Sequence, residues 1–139
     1  VVVPFTAHAA IKCSVTTVGV AFGFYDVFSS APLDSAGSVT IRCSGLGTGV
    51  DPISVAISTG GSGSFQPRTL FRGPDRMSYN LYLDAGRSQI WGDGTAGSLR
   101  YASVSNSQPV TLTIFGRIPS GQDVSAGAYS DTIVVTVNF

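Results

Sequence analysis

The chain has 139 residues, a size at which a single hydrophobic core buries roughly two-thirds of the unfolded surface, so one domain is enough. Hydrophobic residues make up 43% and charged residues only 12%, with seven Arg, one Lys, eight Asp and no Glu, and the formal net charge is zero. That balance removes the long side chains that favour helices, and it excludes a basic stripe for nucleic acid or a polybasic anchor for a membrane.

Apolar residues occupy every odd position from 1 to 11 (Val1, Val3, Phe5, Ala7, Ala9, Ile11), and Pro4, Thr6 and His8 fall between them. This is the period of a strand with one buried face. The chain opens at Val1 with neither a charged nor an apolar leader, as expected of a mature secreted chain. Cys13 and Cys43 are the two cysteines. An even count in a Gly-, Ser- and Thr-rich chain suits a disulfide in an oxidising compartment, with two buried free thiols as the alternative.

Further strand-like runs span residues 14–22, 37–43, 53–58, 77–83, 89–91, 98–104, 110–116 and 128–139. In the last, Ile133, Val135, Val137 and Phe139 share one face; Thr132, Thr136 and Asn138 share the other, and Val134 is the apolar residue out of phase. Gly-rich turns punctuate the series at 45–49, 60–64 and 92–94. Short strands at such spacing predict an all-β sandwich or barrel. No run approaches the 18 apolar residues of a membrane span, so membrane insertion is not expected.

Catalytic chemistry finds little support. His8 is the only histidine, it lies in the N-terminal alternating run, and no G-x-S-x-G elbow presents a serine. The Gly-rich stretches lack the lysine-containing ending of a phosphate loop, and no calcium-loop spacing occurs, so no cofactor and no metal are expected. Asp84 and Asp93 form the one conceivable glycosidase pair, but an Asp at a loop start commonly caps its own turn. Trp91, Tyr79, Tyr82 and Tyr101 are candidates for a sugar-binding platform, with core or cross-strand packing as the simpler reading. A carbohydrate-binding adhesin module is therefore the alternative function.

Three sets of segments carry a family likeness: AFGFYD at 21–26 with LDSAGSVTIRC at 33–43; YNLYLD at 79–84 with WGDG at 91–94; and FGRIPSGQ at 115–122 with GAYSDTIVVTVNF at 127–139. Together they resemble the spore coat protein U family, which includes major subunits of archaic chaperone-usher pili. The resemblance implies an incomplete immunoglobulin-like β-sandwich of the pilin type, completed by a donor strand. It implies a donor segment at residues 1–12 and a sandwich domain at 13–139. It also implies an acceptor groove lined by the C-terminal strand through Ile133, Val135, Val137 and Phe139. The partners it implies are a periplasmic chaperone, an outer-membrane usher and other copies of the chain, in a polymer at the cell or spore surface.

The alternating segment suits the donor role, with Val3, Phe5 and Ile11 as the large anchors. Pro4 lacks a ladder N–H, so regular pairing is expected from Phe5 onward. An ordinary edge strand folding back onto its own domain has the same periodicity.

Overall fold

The computed structural model describes residues 12–44, 52–103 and 109–139. They form eight strands: β1 (Lys12–Val18), β2 (Leu33–Ser44), β3 (Ile53–Ile57), β4 (Arg68–Arg72), β5 (Asp75–Tyr82), β6 (Tyr101–Ser103), β7 (Val110–Ile118) and β8 (Val135–Asn138). A 3-10 turn at Gly60–Ser62 precedes β4. Two antiparallel sheets result, one ordered β1-β2-β7-β5-β4 and the other β6-β3-β8.

Period-2 alternation builds the core. Val39 and Ile41 of β2, Val55 and Ile57 of β3, Met77, Tyr79 and Leu81 of β5, and Ile114 and Ile118 of β7 all turn inward and are buried. Each apolar side chain so enclosed stabilises the fold by about 1.5–3 kcal/mol relative to leaving it in water. The backbone of β2 runs through the longest pairing, from Leu33 opposite Ile118 to Ile41 opposite Val110, and on its other side meets β1 from Ser38 to Ser44. Cys13 stands directly across from Cys43 in that second ladder, and the two are joined in a disulfide.

The expected strand at residues 14–22 ends at Val18, and the expected run at 128–139 pairs as a strand only at β8. Residues 89–91 contribute isolated bridges, Tyr82 with Ile90 and Trp91 with Leu99. β4 lay outside the expected runs, because its inward face carries a charged residue, Arg68, beside Leu70.

Arg68 is fully buried. Its Nε donates to the Ser58 carbonyl at 2.9 Å, Nη1 to Asn80 Oδ1 at 2.9 Å, and Nη2 to the Ser58 and Trp91 carbonyls at 2.7 and 2.6 Å. The guanidinium also lies over the Phe65 ring, 5.0 Å from its centre. Burial pulls its pKa down to about 10, against the favourable influence of Tyr79, Asp131 and Asp93. One charged group thus supplies hydrogen bonds to acceptors on three chain segments, at Ser58, Asn80 and Trp91.

Trp91 does not form a sugar platform. It is fully buried, and its indole N–H donates to the Val55 carbonyl at 2.9 Å. Tyr79 is buried as well, while Tyr82 and Tyr101 are half-buried. The aromatic residues satisfy the interior first, because no surface contact offsets the apolar area a tryptophan removes from water.

Candidate binding groove

After Val18 the chain stops pairing with β2 but stays beside it. Val20 and Phe22 lie over Gly37 and Gly116, the two glycines of the β2–β7 ladder. A Cβ on Gly116 would stand 2.7 Å from Phe22 Cζ and 2.8 Å from Val20 Cγ1, and one on Gly37 would meet the Val18 carbonyl. Their missing side chains make the bed on which residues 19–28 rest. Ser35 Oγ holds this segment by donating to the Ala21 carbonyl at 2.7 Å. Tyr25 Oη donates to the Pro119 carbonyl at 2.7 Å and accepts from the Gln122 N–H at 3.1 Å.

Residues 124–135 form a second wall. Ser130 exchanges backbone hydrogen bonds with Phe71 of β4 at 2.8 and 2.9 Å. The Val134 N–H donates to Ser58 Oγ at 2.9 Å, and its carbonyl accepts from the Ser58 N–H at 3.0 Å. Between them Asp131 Oδ1 accepts from the Gly61 N–H at 2.8 Å, and Oδ2 accepts from Tyr79 Oη at 2.5 Å.

The two walls enclose a groove of about 930 Å³. Its floor is Leu70, Met77, Tyr79, Leu81, Ile114 and Ile118. Phe22 meets Tyr79 edge-on, with ring centres 6.1 Å apart. Burial pushes the Tyr79 hydroxyl well above the usual phenol range, and its bond to Asp131 reinforces the shift. At the rim, Phe24 and Phe28 are almost wholly exposed, at 86% and 93%. An apolar channel of this kind, with aromatic side chains left in water at its mouth, is the mark of a binding surface.

The walls are also incomplete as sheets. Among the described residues β1 pairs only with β2, and β8 only with β3. Each therefore presents an edge of backbone N–H and C=O groups, the surface onto which an extended segment adds as a further strand.

The expected site residues divide. Ile133 and Val135 line the groove, whereas Val137 packs against the core opposite Val55, and Phe139 is 58% exposed beyond the end of β8. Val135 pairs with Ile57 and Val137 with Val55, so beyond Val135 the chain continues alongside β3. Val1, Val3, Phe5, Ala7, Ala9, Ile11 and His8 lie outside the described residues.

Asp84 and Asp93 are not groove residues; each caps its own turn. Asp84 Oδ1 accepts from the Ser88 and Gln89 N–H groups at 3.0 and 2.9 Å, and Asp93 Oδ1 from the Thr95 N–H at 2.9 Å. Hydrogen bonds from the Ser88 and Thr95 hydroxyls hold both carboxyls below the usual range. The sequence reading did not single out Arg68, Tyr25 or Asp131. The isolated glycines 37 and 116 within strand runs were the available signal, since glycine inside a strand marks a close approach.

The Spore Coat Protein U domain matches residues 1–136. Protein U of Myxococcus xanthus is 33% identical over 127 residues, which cover 85% of this chain and 70% of that protein. The structure of a CsuC–CsuE chaperone–tip adhesion subunit pre-assembly complex, from archaic chaperone-usher Csu pili of Acinetobacter baumannii, superposes with a TM-score of 0.61 at 25% identity. The match covers 94% of this chain but 40% of the solved one. The pilin-type chaperone-usher subunit fold is therefore that of this chain.

Proposed function

Because the chain belongs to the Spore Coat Protein U domain family, we propose that it is a structural subunit of an extracellular pilus or spore-coat polymer, assembled by donor-strand exchange. The observation that carries this reading is the apolar groove between residues 15–28 and 124–135, flanked by two strand edges that have no pairing partner among the described residues. Its floor is a row of Leu, Met and Ile side chains, suited to alternate side chains of an inserted strand.

The proposed donor is the segment at residues 1–12 of a second copy, acting on the domain at 13–139. Burying Val3, Phe5 and Ile11 would stabilise each junction by roughly 1.5–3 kcal/mol apiece before ordering costs. Donor and groove are different surfaces, so the contact repeats head to tail and propagates as a fibre. Before assembly a periplasmic chaperone would occupy the same groove, and an outer-membrane usher would exchange it for the neighbour's segment. The polymer would stand at the cell or spore surface. The role is structural, not enzymatic, since the two carboxylates once paired for hydrolysis are engaged in their own turns.

Size-exclusion chromatography with light scattering tests this on the full chain and on a chain lacking residues 1–11. The full chain should give a ladder of oligomers, and the truncated chain should be unstable until a peptide of residues 1–11 restores it. A full chain that stays monomeric at high concentration, with no effect of the peptide, would sink the proposal.

A further inference from the structure

The C-terminal signature GAYSDTIVVTVNF alternates cleanly only from Ile133, and strand addition alone gives no task to Asp131, the polar residue at its centre. The structure gives it three contacts. Oδ1 takes the Gly61 N–H at 2.8 Å together with the Thr132 N–H at 2.9 Å, and Oδ2 takes the Tyr79 hydroxyl at 2.5 Å. Gly60 is at positive φ, and a Cβ there would run into the Asp131 carboxyl, so the turn before β4 is shaped around this one side chain.

Position makes these contacts matter. Tyr79 is groove floor, Asp131 is groove wall, and Gly61 belongs to neither, standing behind the wall on the outer face. An empty apolar groove tends to collapse, because moving its walls together removes area from water at about 25 cal/mol per Å². Among the described residues the wall at 124–135 is tied to its neighbours at β8, at the Val134–Ser58 bonds and at the Ser130–Phe71 pair, and Asp131 lies between the last two. Asp131 ties it outward to Gly61 and holds the Tyr79 hydroxyl beneath it. On the opposite wall, Tyr25 provides the matching tie through Pro119 and Gln122.

We propose that Asp131 is a positioning residue that keeps the groove open and its Tyr79 floor level, so that an incoming apolar strand meets a preformed slot. This rests on the strand-exchange reading above. Preorganisation of this kind raises affinity by removing the ordering cost from the binding step. It separates two roles that a stability measurement alone would merge: holding the fold together, and holding the slot at the width a strand needs.

The test refolds the full chain in a dilution series of a fluorescently labelled peptide of residues 1–11 and reads the peptide retained on the folded protein, beside circular dichroism and a thermal melt. Asp131→Ala should raise the half-saturating peptide concentration by about tenfold, the effect of losing one charge-assisted hydrogen bond. Asp131→Asn keeps an acceptor for Gly61 and a group that can pair with the Tyr79 hydroxyl, and should stay within about threefold of wild type. Tyr79→Phe, which keeps the ring and loses only the hydroxyl, should fall between them.

Wild-type capture by a folded Asp131→Ala chain, or an Asp131→Asn chain as weak as the alanine variant, overturns the proposal. Should Asp131→Ala fail to fold, Tyr79→Phe decides alone, and its capture at the wild-type level overturns it. If the wild-type chain retains no peptide, the strand-exchange reading falls and takes this proposal with it; variant-specific results bear on Asp131 only.

Discussion

Arg68 Nη2 donates to the Trp91 carbonyl across 2.6 Å in a part of the core closed to water, joining β4 to the loop that leads out of the tryptophan. Replacing Arg68 with Met keeps most of the volume but takes the side-chain donor from the Ser58 and Trp91 carbonyls, while Asn80 Oδ1 keeps the Leu81 N–H. Buried acceptors stranded in this way cost about 1–3 kcal/mol each. A loss of about 3 kcal/mol or more is expected in the urea unfolding free energy, followed by Trp91 fluorescence. Arg68→Lys should recover only a part, because an ammonium cannot fork between three acceptors.

Gly116→Val should push Phe22 and Val20 off the sheet, since a Cβ alone already stands 2.7 and 2.8 Å from them. Overpacking of this kind costs about 1–3 kcal/mol. The first wall of the groove moves with those side chains, so the variant should also lose oligomers on size exclusion at temperatures where circular dichroism reports it folded.

Asp34 accepts from Arg117 Nε at 2.7 Å and Nη2 at 3.0 Å, and Arg87 Nε lies 3.4 Å from the same Oδ1 that Arg117 Nε meets. The hydrogen bond from Arg117 holds its carboxyl below the usual value of 3.8, outweighing the opposing effect of desolvation. A folded-state pKa below the unfolded one contributes stability above the unfolded value and loses it as pH falls through the folded value. The pair is more than a third exposed, so the contribution is roughly 0–1 kcal/mol. Chemical denaturation at pH 7 and pH 2.5 should show Asp34→Asn slightly less stable than wild type at the higher pH and equal to it at the lower.

Reduction of the Cys13–Cys43 bond opens a loop spanning a sequence separation of 30 residues. Chain entropy puts the stabilisation of such a loop at about 3.7 kcal/mol. The Cys13→Ser, Cys43→Ser double variant should therefore unfold at a lower denaturant midpoint, with its slope against denaturant rising as the unfolded chain expands.

Much of the fold was legible because its information is local. Ile53, Val55 and Ile57, or Met77, Tyr79 and Leu81, announce a buried face by alternation alone, and the absence of Glu, with a single Lys, removes the competing helix. What escaped depends on partners distant in sequence. β4 carries Arg68 on its inner face, and nothing within residues 68–72 reveals the carbonyls of Ser58 and Trp91 that accept its charge. Val20 and Phe22 alternate like strand residues yet pack on glycines instead of pairing. The same alternation suggested that Val137 and Phe139 continue the groove wall, but β8 has by then turned to pair with β3. For Trp91 core packing was the simpler reading of the sequence, but the partner of its indole N–H, the Val55 carbonyl, could not be read from it.

The disulfide sits one rung from the outer end of the β1–β2 ladder, where the chain arrives from its N-terminal residues. Tension applied along those residues would otherwise unzip the ladder one rung at a time, the mode in which hydrogen bonds resist least. With the bond in place the pull crosses from Cys13 into Cys43, next to the last residue of β2, and passes on through Ser44. The residues between the two cysteines then bear none of it, and roughly 100 Å of contour stays out of any extension.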